Sequence, residues 1–397
     1  MFQLALLPFL LVAAPAESPT FLATAAGGDG TPTQGTIVKF GKGSAILGTT
    51  SGDLTLPNVL SLQHVSKPRP PFPEGPMLIT AAGDRIPGRF LGGDDRVLHF
   101  QPFLGEHSSQ LPWKVPYSAV AVVWRTTPPA DTPWDTTKYS WTGQERRDTI
   151  RLANGDIARG TIESVGPDVR YMPSGESQAK SIPLMNVAAI AFNPALVRAR
   201  KPRESYAHVV LATGARLAVA SPTIEKGLLE GKTLFGAAVR VSAADLVAVD
   251  IRQGKSVGLT ELKPQRVEQT GYLGAPLPQE GEDVPRVLPS PQGDSTFDRA
   301  LQIRPRSKRT YELGGKFRRF DAVVGLDASA TEGSATIRVL VDGKNVLPQD
   351  RGALTPGLTR TLRLPTSGAK TLTLEVDFGP SGGVQAAVNW GEPRLVE

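Results

Sequence analysis

The front two thirds of the chain contain short runs in which apolar and polar residues alternate, separated by glycine-containing turns. In Thr149-Ile-Arg-Leu152 the apolar residues occupy every second position, which is typical of a half-buried β-strand. Asn154-Gly155 follows and favours a tight hairpin, because both residues tolerate positive φ. Gly160 then lies inside the next predicted strand, where glycine indicates a bulge or a sharp bend.

This arrangement recurs along the chain. Gly83 and Gly88 repeat the spacing of Gly155 and Gly160, as do Gly30 and Gly35, whereas Val219 replaces the second glycine after Gly214. Each repeat closes with an apolar phrase such as WKVPYSAVAVVW or KSIPLMNVAAIAF. The pattern predicts four β units, each a curled sheet or a partly open barrel, at 17–66, 77–126, 148–194 and 206–254.

A segment rich in Pro, Gly, Glu and Gln at 263–293 predicts a linker. Beyond it the alternation becomes stronger, with Ile337, Val339 and Val341 on one face of a predicted strand. Asp342-Gly343 then predicts a hairpin turn. Several such strands predict an antiparallel β-sandwich over 294–397, so the expected fold class is mainly β throughout.

Composition removes several kinds of chemistry. The 397 residues include no cysteine, which excludes disulfides, thiol catalysis, zinc–thiolate sites and iron–sulfur clusters. The four histidines are scattered, with no pair at the spacing of metal ligands. The sequence also lacks a Gly-x-Ser-x-Gly elbow, a phosphate loop and a dinucleotide fingerprint. We therefore expect a protein that is not an enzyme.

The N-terminal residues predict export. An apolar run from Phe2 to Val12 precedes Ala14-Pro15-Ala16, a small-x-small triplet that is typical of a signal peptide cleaved after Ala16. No later stretch approaches the ~18 apolar residues that a membrane span needs. The sequence thus predicts a signal peptide at 1–16, no transmembrane span, and a periplasmic or secreted protein.

The net charge is +6, and basic residues cluster at 198–203 and 304–309. In an exported protein such clusters favour an anionic polysaccharide or envelope surface over nucleic acid as the partner. Solvated loops are the simpler explanation of each cluster and stay open.

The C-terminal residues resemble a known family, the NPCBM/NEW2 carbohydrate-binding modules. The resemblance rests on ordered marks between about Arg304 and Glu397: F-x-x-F-x-x-x-x-G-L-D, then G-S-x-x-I-x-V-x-x-D-G-K, then G-A-K-x-L-x-L and a late tryptophan. The residues that fill these marks are Phe317, Phe320, Gly325, Asp327, Asp342, Gly343, Lys344, Gly368, Ala369, Lys370 and Trp390. The resemblance implies a jelly-roll-like sandwich that binds glycans. The opening phrase of the front repeats is only vaguely similar to Sm-like barrels and implies no RNA site.

Two departures from the family pattern put sugar binding in question. The family often has a Gly-x-Gly-x-His-Ala stretch before its first core strand and an Asp-His-x-x-Trp near its end; here both histidines and the acid are missing. The candidate sugar contacts are Trp390 and Tyr311 as aromatic faces, with Asn389 and Arg338 as hydrogen-bonding partners. A role of Trp390 in core packing is an open alternative.

Metal and cofactor signals are weak. Asp327-Ala-Ser-Ala-Thr-Glu332 has oxygen ligands at alternate positions, so Asp327 and Glu332 are the candidates for a structural calcium, against a plain solvated loop. No other cofactor is expected.

The first functional hypothesis is an exported binder of polysaccharide or glycoprotein at the cell envelope. The alternative is a structural or protein-interaction scaffold, with the repeats as interface and a sandwich that has no sugar affinity.

Overall fold

A computed structural model describes residues 19–108, 110–133, 135–142, 146–198, 202–270 and 285–397. Regular structure in these residues is almost entirely β-strand, which confirms the predicted mainly-β fold. Within the same ranges, no helix combines the length and the apolar character that membrane crossing requires. The predicted signal peptide at 1–16 and residues 271–284 of the predicted linker lie outside the described residues.

The front part of the chain consists of consecutive groups of five strands. The first group is β1 (Thr20–Ala25), β2 (Thr33–Gly41), β3 (Ser44–Thr49), β4 (Gly52–Leu56) and β5 (Val59–His64); the second is β6 (Met77–Thr80), β7 (Arg85–Gly93), β8 (Val97–Pro102), β9 (Trp113–Pro116) and β10 (Val120–Trp124). The third is β11 (Asp148–Leu152), β12 (Ile157–Val165), β13 (Asp168–Pro173), β14 (Lys180–Pro183) and β15 (Val187–Ala191); the fourth is β16 (Tyr206–Leu211), β17 (Arg216–Glu225), β18 (Leu228–Thr233), β19 (Ala238–Ser242) and β20 (Leu246–Arg252).

The C-terminal strands are β21 (Ser256–Gly258), β22 (Arg266–Gln269), β23 (Arg286–Leu288), β24 (Ser295–Phe297), β25 (Ala300–Ile303), β26 (Ser307–Glu312), β27 (Arg319–Leu326), β28 (Ala335–Val341), β29 (Lys344–Asn345), β30 (Ala353–Leu354), β31 (Thr359–Pro365), β32 (Thr371–Phe378) and β33 (Val388–Val396). Short 3-10 turns lie at Tyr117–Ala119, Thr136–Lys138, Leu184–Asn186, Ala243–Asp245, Leu259–Glu261 and Gln349–Arg351.

The first and fourth groups of strands together close a six-stranded barrel, here called barrel A. Its hydrogen-bonded order is β2-β1-β5-β20-β16-β17, and β17 pairs back onto β2 at Ile224 and Phe40. The second and third groups repeat this order as β7-β6-β10-β15-β11-β12, here called barrel B, although no strand pairing joins β12 to β7 among the described residues. One barrel thus contains both ends of the repeat region, and barrel B is inserted between its halves.

Gly160 shows why the repeats need a glycine at this place. A Cβ on Gly160 would lie 2.0 Å from the carbonyl oxygen of Met172 on the neighbouring strand, so a side chain would force the two strands apart. In the fourth group, Val219 occupies the corresponding position, and the glycine is on the partner strand instead. A Cβ on Gly231 would lie 2.4 Å from a methyl group of Val219. The two strands therefore approach closely in the fourth group as well, but there the glycine lies on the second strand of the pair instead of the first.

The C-terminal domain is a two-sheet sandwich. In the first sheet, β33 pairs with β27 on one side and with β25 and β21 on the other, and β31 follows β27. The second sheet has the order β22-β26-β32-β28, with β29 and β30 paired to β28. Strands β22 and β23 lie within the segment predicted as a linker; β22 is an edge strand of the second sheet, so that part of the prediction was wrong.

Asp342-Gly343 forms the predicted hairpin between β28 and β29, with φ of 48° and 79°. The turn also contacts the loop that contains Gly368-Ala-Lys370, another part of the family pattern. The Asp342 carboxylate accepts hydrogen bonds from the backbone N–H groups of Lys370 and Thr371, at 2.9 and 2.8 Å. The bond from Thr371 lowers the pKa of Asp342 below its usual value. This turn is therefore a fold marker joined to the Gly368-Ala-Lys370 loop.

Candidate functional site

The two aromatic residues predicted to stack on sugar are in the core of the sandwich. Trp390 on β33 is 0% exposed and packs near Phe320, with ring centroids 6.3 Å apart. Tyr311 on β26 is 1% exposed. A ring with no exposed face cannot stack on a ligand, so the structure replaces the predicted role of Trp390 and Tyr311 with core packing. The alternation of apolar residues on both strands carries these rings inward.

Asn389 on β33 is also fully buried. Its side chain forms hydrogen bonds to Gln302 on β25 and to Asp327, which directly follows β27. Its amide donates to the carboxylate of Asp327 at 2.9 Å and accepts from the side chain of Gln302 at 2.9 Å. The other Asp327 oxygen accepts from the backbone N–H and the hydroxyl of Ser329. Asn389 can therefore position Asp327 and its loop, while the loop itself reaches solvent.

Two loops at this end of the sandwich are linked through Gln385. Its side-chain oxygen accepts from the backbone N–H groups of Thr331 and Glu332, each at 2.9 Å. The side chains of Ser329, Thr331, Glu332, Val384 and Gln385 are exposed. We call the surface formed by residues 327–334 and 381–387 the loop end. It combines several exposed polar groups with one exposed apolar side chain, Val384.

The metal prediction has little support at the loop end. Both Asp327 oxygens already accept hydrogen bonds from protein groups, and Glu332 is exposed. The described residues contain no group of three or more His, Asp or Glu side chains arranged to hold a metal ion. A structural calcium held by Asp327 and Glu332 stays a prediction.

Arg338 lies away from the loop-end residues. It is on β28 in the second sheet, exposed, and its guanidinium contacts Glu375 of β32 at 3.2 Å. Asn389 is on β33 in the first sheet. The structure therefore separates these two predicted partners. Arg338 stays a prediction as a polar contact, on the outer face of β28.

A cavity lies between barrel A and the first sheet of the sandwich. This cavity, called the cleft here, has a volume of about 320 Å³ and takes residues from both domains. At its floor, Arg69 of the Pro-rich connector forms a bidentate pair with Asp250 of β20, at 2.8 and 3.0 Å. Arg252 of β20 reaches across to Glu392 of β33 at 2.8 Å.

Burial and neighbouring charges shift the pKa of two groups at and beside the floor of the cleft, Asp250 and His208. Burial alone would raise the pKa of Asp250, but the guanidiniums of Arg69 and Arg252 hold it below the usual range. On the neighbouring strand, the ring of His208 lies 3.2 Å from the Asp298 carboxylate, which Arg216 also contacts at 2.9 Å. Burial lowers the pKa of His208 to about 4. Two of these pairs, Arg252–Glu392 and Arg216–Asp298, join barrel A to the sandwich, and loss of one partner would leave the other charge buried without a counter-ion.

Sequence reasoning missed the cleft. Its cations come from the connector, barrel strands and sandwich strands, at positions that look like solvent-face residues in an alternating pattern. One signal was present in the sequence: Asp250, Arg252, Arg319, Asp321 and Arg394 are charged residues inside otherwise apolar strands. Charged residues are seldom buried unless they are paired, so such positions indicate an interface.

The sandwich that carries the loop end is similar to a known domain family. Residues 279–396 match the family model of the NPCBM/NEW2 domain. This match confirms the family resemblance and supports a carbohydrate-binding module in the C-terminal part of the chain. No curated protein sequence matches the chain.

Solved structures of carbohydrate-binding modules show similarity as well. One is the CBM51 module from Clostridium perfringens GH95 in complex with methyl-galactose, with 22% identity, covering 36% of this chain and 99% of that one, at a TM-score of 0.30. Another contains CBM51-2 in complex with GlcNAc and INT domains from Clostridium perfringens ZmpB, with 15% identity over 50% of this chain and 40% of that one, at a TM-score of 0.31. A third contains the tandem CBM51 modules of Sp3GH98 from Streptococcus pneumoniae SP3-BS71, with 13% identity over 67% of this chain and 92% of that one, at a TM-score of 0.31.

Proposed function

We propose that this protein binds carbohydrate through the loop end of its NPCBM/NEW2 domain. It acts as an exported protein without catalytic activity of its own, and it recognises polysaccharide or glycoprotein at the cell envelope. The observation that carries the proposal is the family match over residues 279–396. The repeats then serve as a rigid base that presents the sandwich.

The loop end supports this proposal by its chemistry. Glu332 and Gln385 provide exposed polar atoms, and Val384, which is 66% exposed, adds an apolar surface beside them. The buried Asn389–Asp327 contact holds the loop from below. Sugar recognition needs a few well-positioned hydrogen-bonding groups and an apolar contact, and both are available here.

A glycan array probed with the full chain tests the proposal. We expect binding to at least one glycan class, weakened in Gln385→Ala and Glu332→Ala and kept in Arg338→Ala. Weakening only in Arg338→Ala would move the site to the outer face of β28. Absence of binding across neutral and anionic glycans would contradict the proposal.

The alternative is a structural or protein-interaction scaffold. Burial of Trp390 and Tyr311 favours it, since the sandwich then lacks the predicted aromatic platform. A folded chain that binds no glycan would support the scaffold alternative.

Export has its own test: the mature protein recovered from its source should begin at Glu17, and an intact Met1 would contradict signal-peptide cleavage.

A further inference from the structure

A row of charged residues crosses the first sheet of the sandwich on the side that faces barrel A. Asp321 on β27 lies opposite Arg363 on β31 and opposite Arg394 on β33 in the strand registers. Arg319 lies two residues before Asp321 and therefore on the same face. Three guanidiniums thus surround one carboxylate at the wall of the cleft.

The carboxylate is already engaged by two of them. Arg319 donates to both oxygens of Asp321, at 2.6 and 3.1 Å, and its remaining donors bind the backbone carbonyls of Ala25 and Gly28. Arg394 lies 3.5 Å from Asp321 and also donates to the hydroxyl of Ser61 on barrel A. These two arginines complete the contact between the domains.

Arg363 is the third cation, and it lines the cleft. Among the described residues it forms no hydrogen bond or salt bridge, although it is only partly exposed. Burial lowers its pKa, as do the neighbouring charges of Arg319 and Arg394, while Asp321 acts in the opposite direction. An arginine stays protonated in a protein, so a positive charge with unused donors remains at the cleft wall.

The lining includes three carboxylates, each paired with an arginine, and the rest of it suits a sugar. Hydroxyl groups of Thr24, Thr359 and Thr361 lie around the cleft, and Phe297 and Pro291 provide apolar surface. The volume of about 320 Å³ is within the range of small-ligand pockets. Among ligand groups that can accept from Arg363, an anionic one gains the most from its charge, and a planar carboxylate matches the guanidinium fork.

We propose that the cleft is a second binding site, which takes a carboxylate-bearing saccharide with its acid group on Arg363. The saccharide class rests on the proposed function of the sandwich, but the site is separate from the loop end. Binding here touches both domains, so the site exists only in the whole protein. An acidic residue of a uronic-acid polysaccharide has the required chemistry.

Isothermal titration of the full chain with trigalacturonic acid tests this site, and the fully methyl-esterified trisaccharide is the neutral control of the same backbone. We expect the acid to bind and the ester to bind at least about tenfold more weakly, as a charge-assisted hydrogen bond predicts. Affinity for the acid should also fall with added salt. Equal binding of acid and ester, or no binding of the acid, would overturn the proposal.

Variants localise the effect. Arg363→Ala should weaken acid binding at least about tenfold, with partial recovery in Arg363→Lys, while Arg96→Ala removes an exposed positive charge on barrel B, outside the cleft, and should leave the affinity unchanged. Since Arg363 forms no hydrogen bond or salt bridge with any described residue, its variants should keep a melting temperature close to that of the wild type. Unchanged acid binding in Arg363→Ala would overturn the assignment. Glutarate binding as tightly as the trisaccharide would overturn the saccharide class.

The two proposals fail separately. Loss of neutral-glycan binding in Gln385→Ala concerns the loop end and leaves the cleft unaffected. If the protein binds neutral glycans through the loop end but never the acidic trisaccharide, the cleft proposal falls and the proposed function stands.

Discussion

Arg252 at the end of β20 holds Glu392 of β33 with nitrogen–oxygen distances of 3.0 and 2.8 Å, and both side chains are almost fully buried. This contact joins barrel A to the sandwich across the floor of the cleft. Arg69 approaches the same Glu392 at 3.9 Å, so the connector takes part in the junction.

Removal of Arg252 should strongly destabilise the protein. Arg252→Ala leaves the Glu392 carboxylate buried with only Arg69 at 3.9 Å, which is already paired with Asp250, and loss of a partner in a buried pair costs about 3–5 kcal/mol. Urea unfolding followed by circular dichroism measures the change. The exposed pair of Lys39 and Glu225 provides the control, since Glu225→Ala should change stability by less than about 1 kcal/mol. Similar effects of both variants would contradict a buried ionic junction.

His208 should make stability depend on pH. Its pKa is about 4 in the folded protein, below the ordinary value of 6.5, because burial disfavours the charged ring beside Arg252 and Arg299. The unfolded chain therefore binds more protons between these values, and stability falls as the pH falls from 6.5 to 4. The loss reaches about 3 kcal/mol at most.

The comparison of His208→Gln with wild type at each pH isolates this contribution. The variant should lose the part of the slope between pH 6.5 and 4. Asp84 acts in the opposite direction: burial raises its pKa to about 6, so its contribution is full below the ordinary value of 3.8 and is lost as the pH rises to 6. Asp84→Asn should remove that opposite trend. An unchanged slope in His208→Gln would show that the ring titrates normally.

Trp390→Ala should unfold or strongly destabilise the sandwich. The ring is 0% exposed in a packed core, and truncation of a buried tryptophan costs about 3–5 kcal/mol. Thermal melting measures the loss. Phe103→Ala is the control, because Phe103 is 50% exposed and its truncation should cost less than about 0.5 kcal/mol. A Trp390→Ala variant with wild-type stability would show that the indole is not a core residue.

Gly160→Ala should destabilise barrel B by about 1–3 kcal/mol, since the added methyl group meets the Met172 carbonyl and forces the strands apart. Gly166→Ala is matched in chemistry and lies in the same group of strands. Its Cβ would meet nothing closer than the Asp168 carbonyl at 4.0 Å. Chemical denaturation of both variants checks the prediction, and equal stabilities would rule out the close approach.

Much of the local structure could be predicted from the residues alone. Alternation around Thr149–Leu152 and Ile337–Val341 predicted strands, because the period of two is a property of each strand alone. Asp342-Gly343 predicted its hairpin for the same reason, and the ordered marks from Phe317 to Trp390 identified the NPCBM/NEW2 domain, which the family match confirms.

The pairing of distant strands and the burial of particular side chains depend on the tertiary structure. Strands pair through backbone groups that nearly all residues share, so the side-chain pattern does not specify the partner strand. No local pattern therefore shows that β5 pairs with β20, although barrel B lies between them in the chain. The burial of Trp390 and the row of Arg363, Asp321 and Arg394 depend on strands far apart in the chain. The predicted aromatic sugar platform was therefore wrong. The cleft could not be predicted, because residues of both domains line it.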